Sequence, residues 1–137
     1  MRDSPDPFDF DPVPSASRRH DGWTPEKQRD FIFQLARIGV VSAAARAVGM
    51  SPKSAYALLT RAGEESGFAR AWHAARYEGR CKARDKAIER AIDGVAVPVF
   101  YRGRQVGEHR RYNDRLLIAA LRHFHPETDS GADPWEL

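Results

Sequence analysis

Few side chains in this chain have the type and spacing for bond-making chemistry. His123 and His125 stand one residue apart, as a metal pair would, but they fall at the end of an expected helix beside Pro126 with no third ligand near, which reads as a surface pair. Cys81 lies between Arg80 and Lys82, and no base stands at a fixed spacing that would make it a nucleophile. Gly94, Gly103 and Gly107 belong to a period-two pattern, not to a phosphate-cradling loop, and Asp114-Arg115 reads as the first turn of a helix. We therefore expect no catalytic residue, no metal and no cofactor. A second group of side chains is suited to holding a polyanion: Ser51, Lys53, Ser54 and Tyr56 within six residues, with Arg61 beyond them and Arg46 before. Ammonium, guanidinium and hydroxyl groups are the donors that contact phosphates and base edges.

Those donors need an element to present them, and the segment Val41 to Thr60 has the marks of a helix-turn-helix. Ala45 is the small residue where two short helices can cross, and Gly49, four residues on, can take the positive φ of a tight turn. Ala44, Val48, Met50, Ala55 and Leu58 fall at inward positions. The first short helix is expected from Ser42, as its cap, to Val48. The second runs from Ser51, again a cap and followed by Pro52, to about Ala62. Ser51, Lys53, Ser54, Ala57 and Tyr56 then face outward, toward a major groove entered N-terminus first. Lys53 suits a guanine edge or a phosphate, the hydroxyls suit phosphates, and Arg61 and Arg46 suit the backbone. This set lacks an outward Arg, Asn or Gln, the side chains best able to make bidentate base contacts, so weak sequence discrimination by one copy is expected. An ordinary alanine-rich helical hairpin is the competing reading of the same residues.

Around this unit the expected architecture is mainly helical. Thr24, Pro25 and Glu26 open a helix whose inner residues are Phe31, Leu35 and Ile38, with Ile32 beside them; Gly39 closes it, and Trp23 can staple onto it. A long helix is expected from about Ser66 to Asp93, with an inner stripe of Phe68, Trp72, Ala75, Gly79, Ala83, Ala87 and Ala91. Val95 to Arg111 alternates as a β-hairpin about Arg102-Gly103. A two-residue turn pairs Val99 with Val106, and a bulged three-residue turn would shift that register. A last helix from Asn113 to Phe124 presents Leu117, Leu121 and Phe124 on one face. The expected domains are a disordered N-terminal tail at 1–22, including Phe8 and Phe10; a DNA-binding unit at 23–63; the long helix, hairpin and last helix at 64–126 for oligomerisation; and an acidic tail at 127–137.

Charge agrees with a polyanion partner. Residues 1–17 carry −3 and residues 126–137 carry −4, so the stretch 18–125 holds +10 of a net +3. No apolar run approaches the roughly 18 residues that span a bilayer, and the acidic, proline-rich start lacks the layout of a secretory signal. One cysteine among 137 residues permits no internal disulfide. A soluble, reducing, intracellular setting is expected.

The run Gly94 to Ile118, with Pro98-Val99-Phe100-Tyr101, then Val106-Gly107, then Tyr112-Asn113-Asp114 and Leu116-Leu117, resembles the C-terminal part of phage terminase small subunits. Val41–Tyr56 and Phe68-Ala-Arg-Ala-Trp72 match the upstream layout, and the resemblance covers roughly Thr24 to Pro126. It implies a non-catalytic protein that recognises double-stranded viral DNA, assembles as a homo-oligomeric ring, and hands DNA to a large ATPase–nuclease subunit. By that resemblance Ser51 to Thr60, Thr60 included, touch DNA. The hairpin and long helix join subunits, and the tail around Trp135 meets the large subunit. Two positions depart from the pattern: Ala57, where an arginine or another polar residue is usual, and Asn113, where serine is usual. Two other functions fit the residues: a transcriptional regulator that dimerises through the hairpin, and a protein-interaction adaptor that never meets DNA.

Overall fold

The computed structural model describes residues 6–15, 19 and 21–122; the remainder, with His123, Phe124, His125, Pro126 and the tail around Trp135, lies outside the described residues. Seven elements follow in order: α1 (Pro25–Ile38), α2 (Val41–Ala47), α3 (Pro52–Ala62), α4 (Gly67–Asp93), β1 (Val95–Tyr101), β2 (Arg104–Arg111) and α5 (Asp114–Arg122). The chain is thus mainly helical, with one two-stranded antiparallel hairpin and a short C-terminal helix among the described residues. It divides into two units, up to Lys82 and from Ala83. The division falls inside α4, not at the expected 63/64. The reason is that Phe68, Trp72 and Ala75, in the first half of α4, belong to the core of the first unit.

In the first unit α1 starts and stops where its local chemistry directs. The Thr24 hydroxyl accepts from Lys27 N–H at 3.2 Å, Pro25 follows, and Gly39 closes the helix in the left-handed region (φ 78°) with its N–H on Leu35 C=O at 2.7 Å. Phe31, Ile32 and Leu35 are buried. Phe31 meets Trp72 at 4.9 Å between ring centroids, and Trp72 meets Phe68 at 5.9 Å. Trp23 stacks edge-on against Phe31 at 5.4 Å, the expected staple. α1 and α4 approach backbone to backbone: a methyl at Gly79 would lie 2.4 Å from Gly39 N and from Leu35 C=O oxygen. Glycine at 79 is a requirement of contact, not of dihedral freedom.

The N-terminal segment departs from expectation. Phe10 and Val13 are buried, Phe8 packs against the same core, and the Phe10 ring meets Phe68 at 5.4 Å. The reason is a buried polar residue that apolar periodicity cannot show. Gln28, fully buried, takes Val13 N–H on Oε1 at 2.8 Å and donates from Nε2 to Val13 C=O at 2.9 Å and to Trp23 C=O at 3.0 Å. Its amide does for Val13 what a neighbouring strand would do, satisfying both backbone groups so that they can leave water.

In the second unit α4 ends at Gly94, whose N–H bonds Arg90 C=O at 2.9 Å, and Arg110 donates to Asp93 C=O at 2.6 Å. The expected small-residue stripe is only partly inward here. Ala91 is buried and Ala87 half-buried, but Ala83 is exposed, because no described element covers it. The hairpin turns on two residues, Arg102 (φ 50°) and Gly103 (φ 76°), as a primed turn requires. Its register differs from the simple pairing: Tyr101 faces Arg104 and Phe100 faces Gln105, but Val99 faces Gly107, the shift falling between Val99 and Phe100. One extra residue on β2 therefore bulges, and Val106 loses its expected partner. Asn113 caps α5, its Oδ1 accepting from Leu116 N–H at 3.0 Å.

Candidate nucleic-acid interface

α2, the Gly49 turn and α3 form the element on which the donor set is mounted. α2 begins one residue before the expected Ser42 cap. Val40 occupies the cap position and makes no side-chain cap bond, so Ser42 is inside the helix. Ala44 and Ala45 are fully buried. At the turn, Gly49 N–H bonds Arg46 C=O at 3.0 Å and Met50 N–H returns to Ala45 C=O at 2.9 Å. Gly49 has φ 76°, and a methyl there would meet nothing within 4 Å. The turn needs its dihedral, not its space. α3 then opens on Ser51, whose hydroxyl accepts from Ser54 N–H at 3.1 Å, with Pro52 at the first helical position. Ala55 and Leu58 are buried and hold α3 by its inner face, with Val48, Met50 and Leu59 packed against the same core. α2 packs on both α1 and α3.

On the outer side the structure sorts the expected contact residues into two kinds. Arg46, Lys53, Tyr56 and Ala57 are exposed. Arg46 is in the last turn of α2 and Lys53 in the first turn of α3, so the two cations flank the Gly49 turn. Tyr56 leans its ring over Trp72 at 5.6 Å and keeps 44% of its surface open.

The other four have internal duties. The Ser51 hydroxyl is engaged as the α3 cap. The half-buried Ser54 hydroxyl donates to Ser51 C=O at 2.8 Å and accepts from Trp23 Nε1 at 3.3 Å, so it ties α3 to the segment before α1. The Thr60 hydroxyl returns to Tyr56 C=O at 3.0 Å within its own helix. Arg61 reaches Pro14 C=O at 3.2 Å, on the N-terminal segment, rather than standing clear at the distal end of α3. Ser51 and Ser54 were read as outward donors from helical phase, Arg61 as a contact to the DNA backbone, and Thr60 through the resemblance alone. What the phase cannot show is that Trp23 comes back to meet Ser54 and Pro14 to meet Arg61.

One cation near the face was missed. Lys27, in the first turn of α1, places its ammonium 3.3 Å from Asp21 C=O and 3.9 Å from Met50 Sδ, beside the Gly49 turn. Nothing in the spacing along α1 marks it, since it becomes a neighbour of the turn only through the packing of α1 on α2.

Along α4 the charged run is partly self-paired: Lys82 meets Glu78 at 2.7 Å and Ala36 C=O at 3.4 Å, and Arg84 meets Asp85 at 3.1 Å. This agrees with a solvated face better than with a backbone track. Among the described residues no group of three or more His, Cys, Asp and Glu side chains is placed to hold a metal ion, and no helix is long and apolar enough to cross a membrane. The chain matches no family model, no curated protein and no solved structure.

Proposed function

We propose that this chain is a non-catalytic double-stranded DNA-binding protein, in which α2, the Gly49 turn and α3 act as a helix-turn-helix and α3 enters the major groove. One observation carries the reading. α3 is held from behind by buried Ala55 and Leu58 and presents exposed Lys53, Tyr56 and Ala57 on the other side, with Arg46 exposed across a turn of the required conformation. Supporting it is the +10 charge of residues 18–125 between two acidic ends.

Within that function, the role that best fits is a terminase small subunit-like recognition factor for DNA packaging. The sequence resemblance points there, and so does the state of the second unit. Phe100, Tyr101 and Val106 on the hairpin, and Ile118 and Leu121 on α5, are exposed, and Ala91 is the one buried residue among those described from Ala83 onward. Two strands without a covered face are marginal in water. Other copies of the chain are the partners that role supplies. The large subunit would be met through the acidic tail around Trp135, which lies outside the described residues.

Titration of the full chain with duplex DNA over a salt series tests the binding. Affinity should fall steeply as salt rises, with only a small preference among sequences. Salt-insensitive partner binding with no retention of DNA would overturn it in favour of an adaptor. Light scattering tests the role: a ring of many copies is expected, and a dimer would move the assignment to a transcriptional regulator using the same face.

A further inference from the structure

We propose that the start of α1 and the residues just before it form a second part of the same DNA interface, with Arg19 and Lys27 contacting the phosphate backbone beside the groove that α3 enters. The inference rests on the DNA-binding reading of α3 and adds residues that reading does not include.

The argument starts at Ser54. Its hydroxyl has both a donor duty to Ser51 C=O and an acceptor duty to Trp23 Nε1. A residue that helical phase places outward is therefore used to fasten the segment before α1. Trp23 is buried and stacked on Phe31, so the fastened point is rigid. Close to it in the chain, Gly22 N–H bonds Arg19 C=O at 3.2 Å and Thr24 N–H bonds Gly22 C=O at 3.0 Å. Arg19, exposed, is thereby held within one turn of the tryptophan that touches the first turn of α3.

Lys27 completes the arrangement from the other side. Its ammonium has as neighbours a carbonyl oxygen and a thioether, at Asp21 and Met50. Neither atom carries a formal charge, and among the described residues no carboxylate pairs with the ammonium. A cation in that condition, next to Met50 at the end of the Gly49 turn, suits a phosphate oxygen. With Arg46 in α2 and Lys53 in α3, Arg19 and Lys27 make four cations around the approach of α3. A contact of this kind is blind to base sequence, which accords with an α3 face that lacks bidentate base readers.

The test is a salt-series titration of the full chain and its variants with duplex DNAs of unrelated sequence. With Arg19→Ala and Lys27→Ala combined, affinity should drop by a similar factor on every duplex. The fall in affinity across a fourfold rise in salt should also become about tenfold shallower, from two phosphate contacts at ~0.9 each in log–log slope. Asp21→Asn removes an anion from the segment before α1 and should tighten binding. Trp23→Phe keeps an aromatic ring on Phe31 but releases Ser54, and should weaken binding while circular dichroism shows the helices retained. Wild-type affinity and slope in the Arg19/Lys27 variant, alongside weakened binding in Lys53→Ala, would overturn this inference and leave the α3 reading standing. No binding by the unmodified chain would overturn both.

Discussion

Two glycines in this molecule do different work, and substitution separates them. Gly49 has a positive φ and open space around it, so Gly49→Ala should lose about 1–2 kcal/mol from backbone strain alone. Asn at the same position should lose less, because its short polar side chain tolerates that conformation. Gly79 is the opposite case. Its missing Cβ would collide with the backbone of Leu35 and Gly39, atoms that cannot swing aside. Gly79→Ala should therefore reach or exceed the upper end of the ~1–3 kcal/mol range for overpacking. Urea denaturation of the two variants checks the order. Gln28 is the third residue of consequence. Gln28→Ala removes three hydrogen bonds and leaves both backbone groups of Val13 without partners, at a cost of about 1–3 kcal/mol for each group that stays buried. Limited proteolysis should then find residues 6–15 newly accessible, and an unchanged digestion pattern would contradict the role assigned to Gln28.

At the scale of elements, α3 is a helix with one committed face and one open one. Ala57 sits on the open face, where the terminase-like pattern usually offers a polar side chain. If α3 enters the groove, Ala57→Arg should strengthen duplex binding, and Lys53→Ala should weaken it on all sequences while lowering the salt slope by about one. Fluorescence anisotropy on both variants provides the measurement, and opposite signs are the expected result. The hairpin shows where local rules stop. Its turn at Arg102-Gly103 and its strand limits follow from alternation and turn chemistry. The bulge that places Val99 against Gly107 does not, because an extra residue in one strand leaves no mark on the hydrophobic alternation of the other.

At the scale of the molecule, the two units differ in how much of their apolar surface they cover. The first closes a core from α1, α2, α3, the start of α4 and the N-terminal segment. Deleting residues 1–15 should therefore destabilise it, by about 1.5–3 kcal/mol for each of Phe10 and Val13, the two buried side chains removed. The second unit leaves Phe100 62% exposed, together with Tyr101 and Val106. If copies of the chain cover that surface, Phe100→Asp should lower the mass seen by light scattering without lowering the helical signal. An unchanged mass would exclude the hairpin as the assembling surface.

Helix limits to within a residue or so, the caps other than Ser42, the Gly49 turn and the inward set Ala44, Ala45, Ala55 and Leu58 were legible in the residues, because capping, helical period and positive φ act over four or five positions of chain. Tertiary packing decided which of the outward donors are open. Trp23 reaches Ser54 across 31 positions, Arg61 reaches Pro14 across 47, and Gln28 takes in Val13 across 15. A hydrogen bond between distant residues leaves no periodic trace. The polar groups that found partners within the molecule therefore look, in one dimension, the same as the lysine that stayed open.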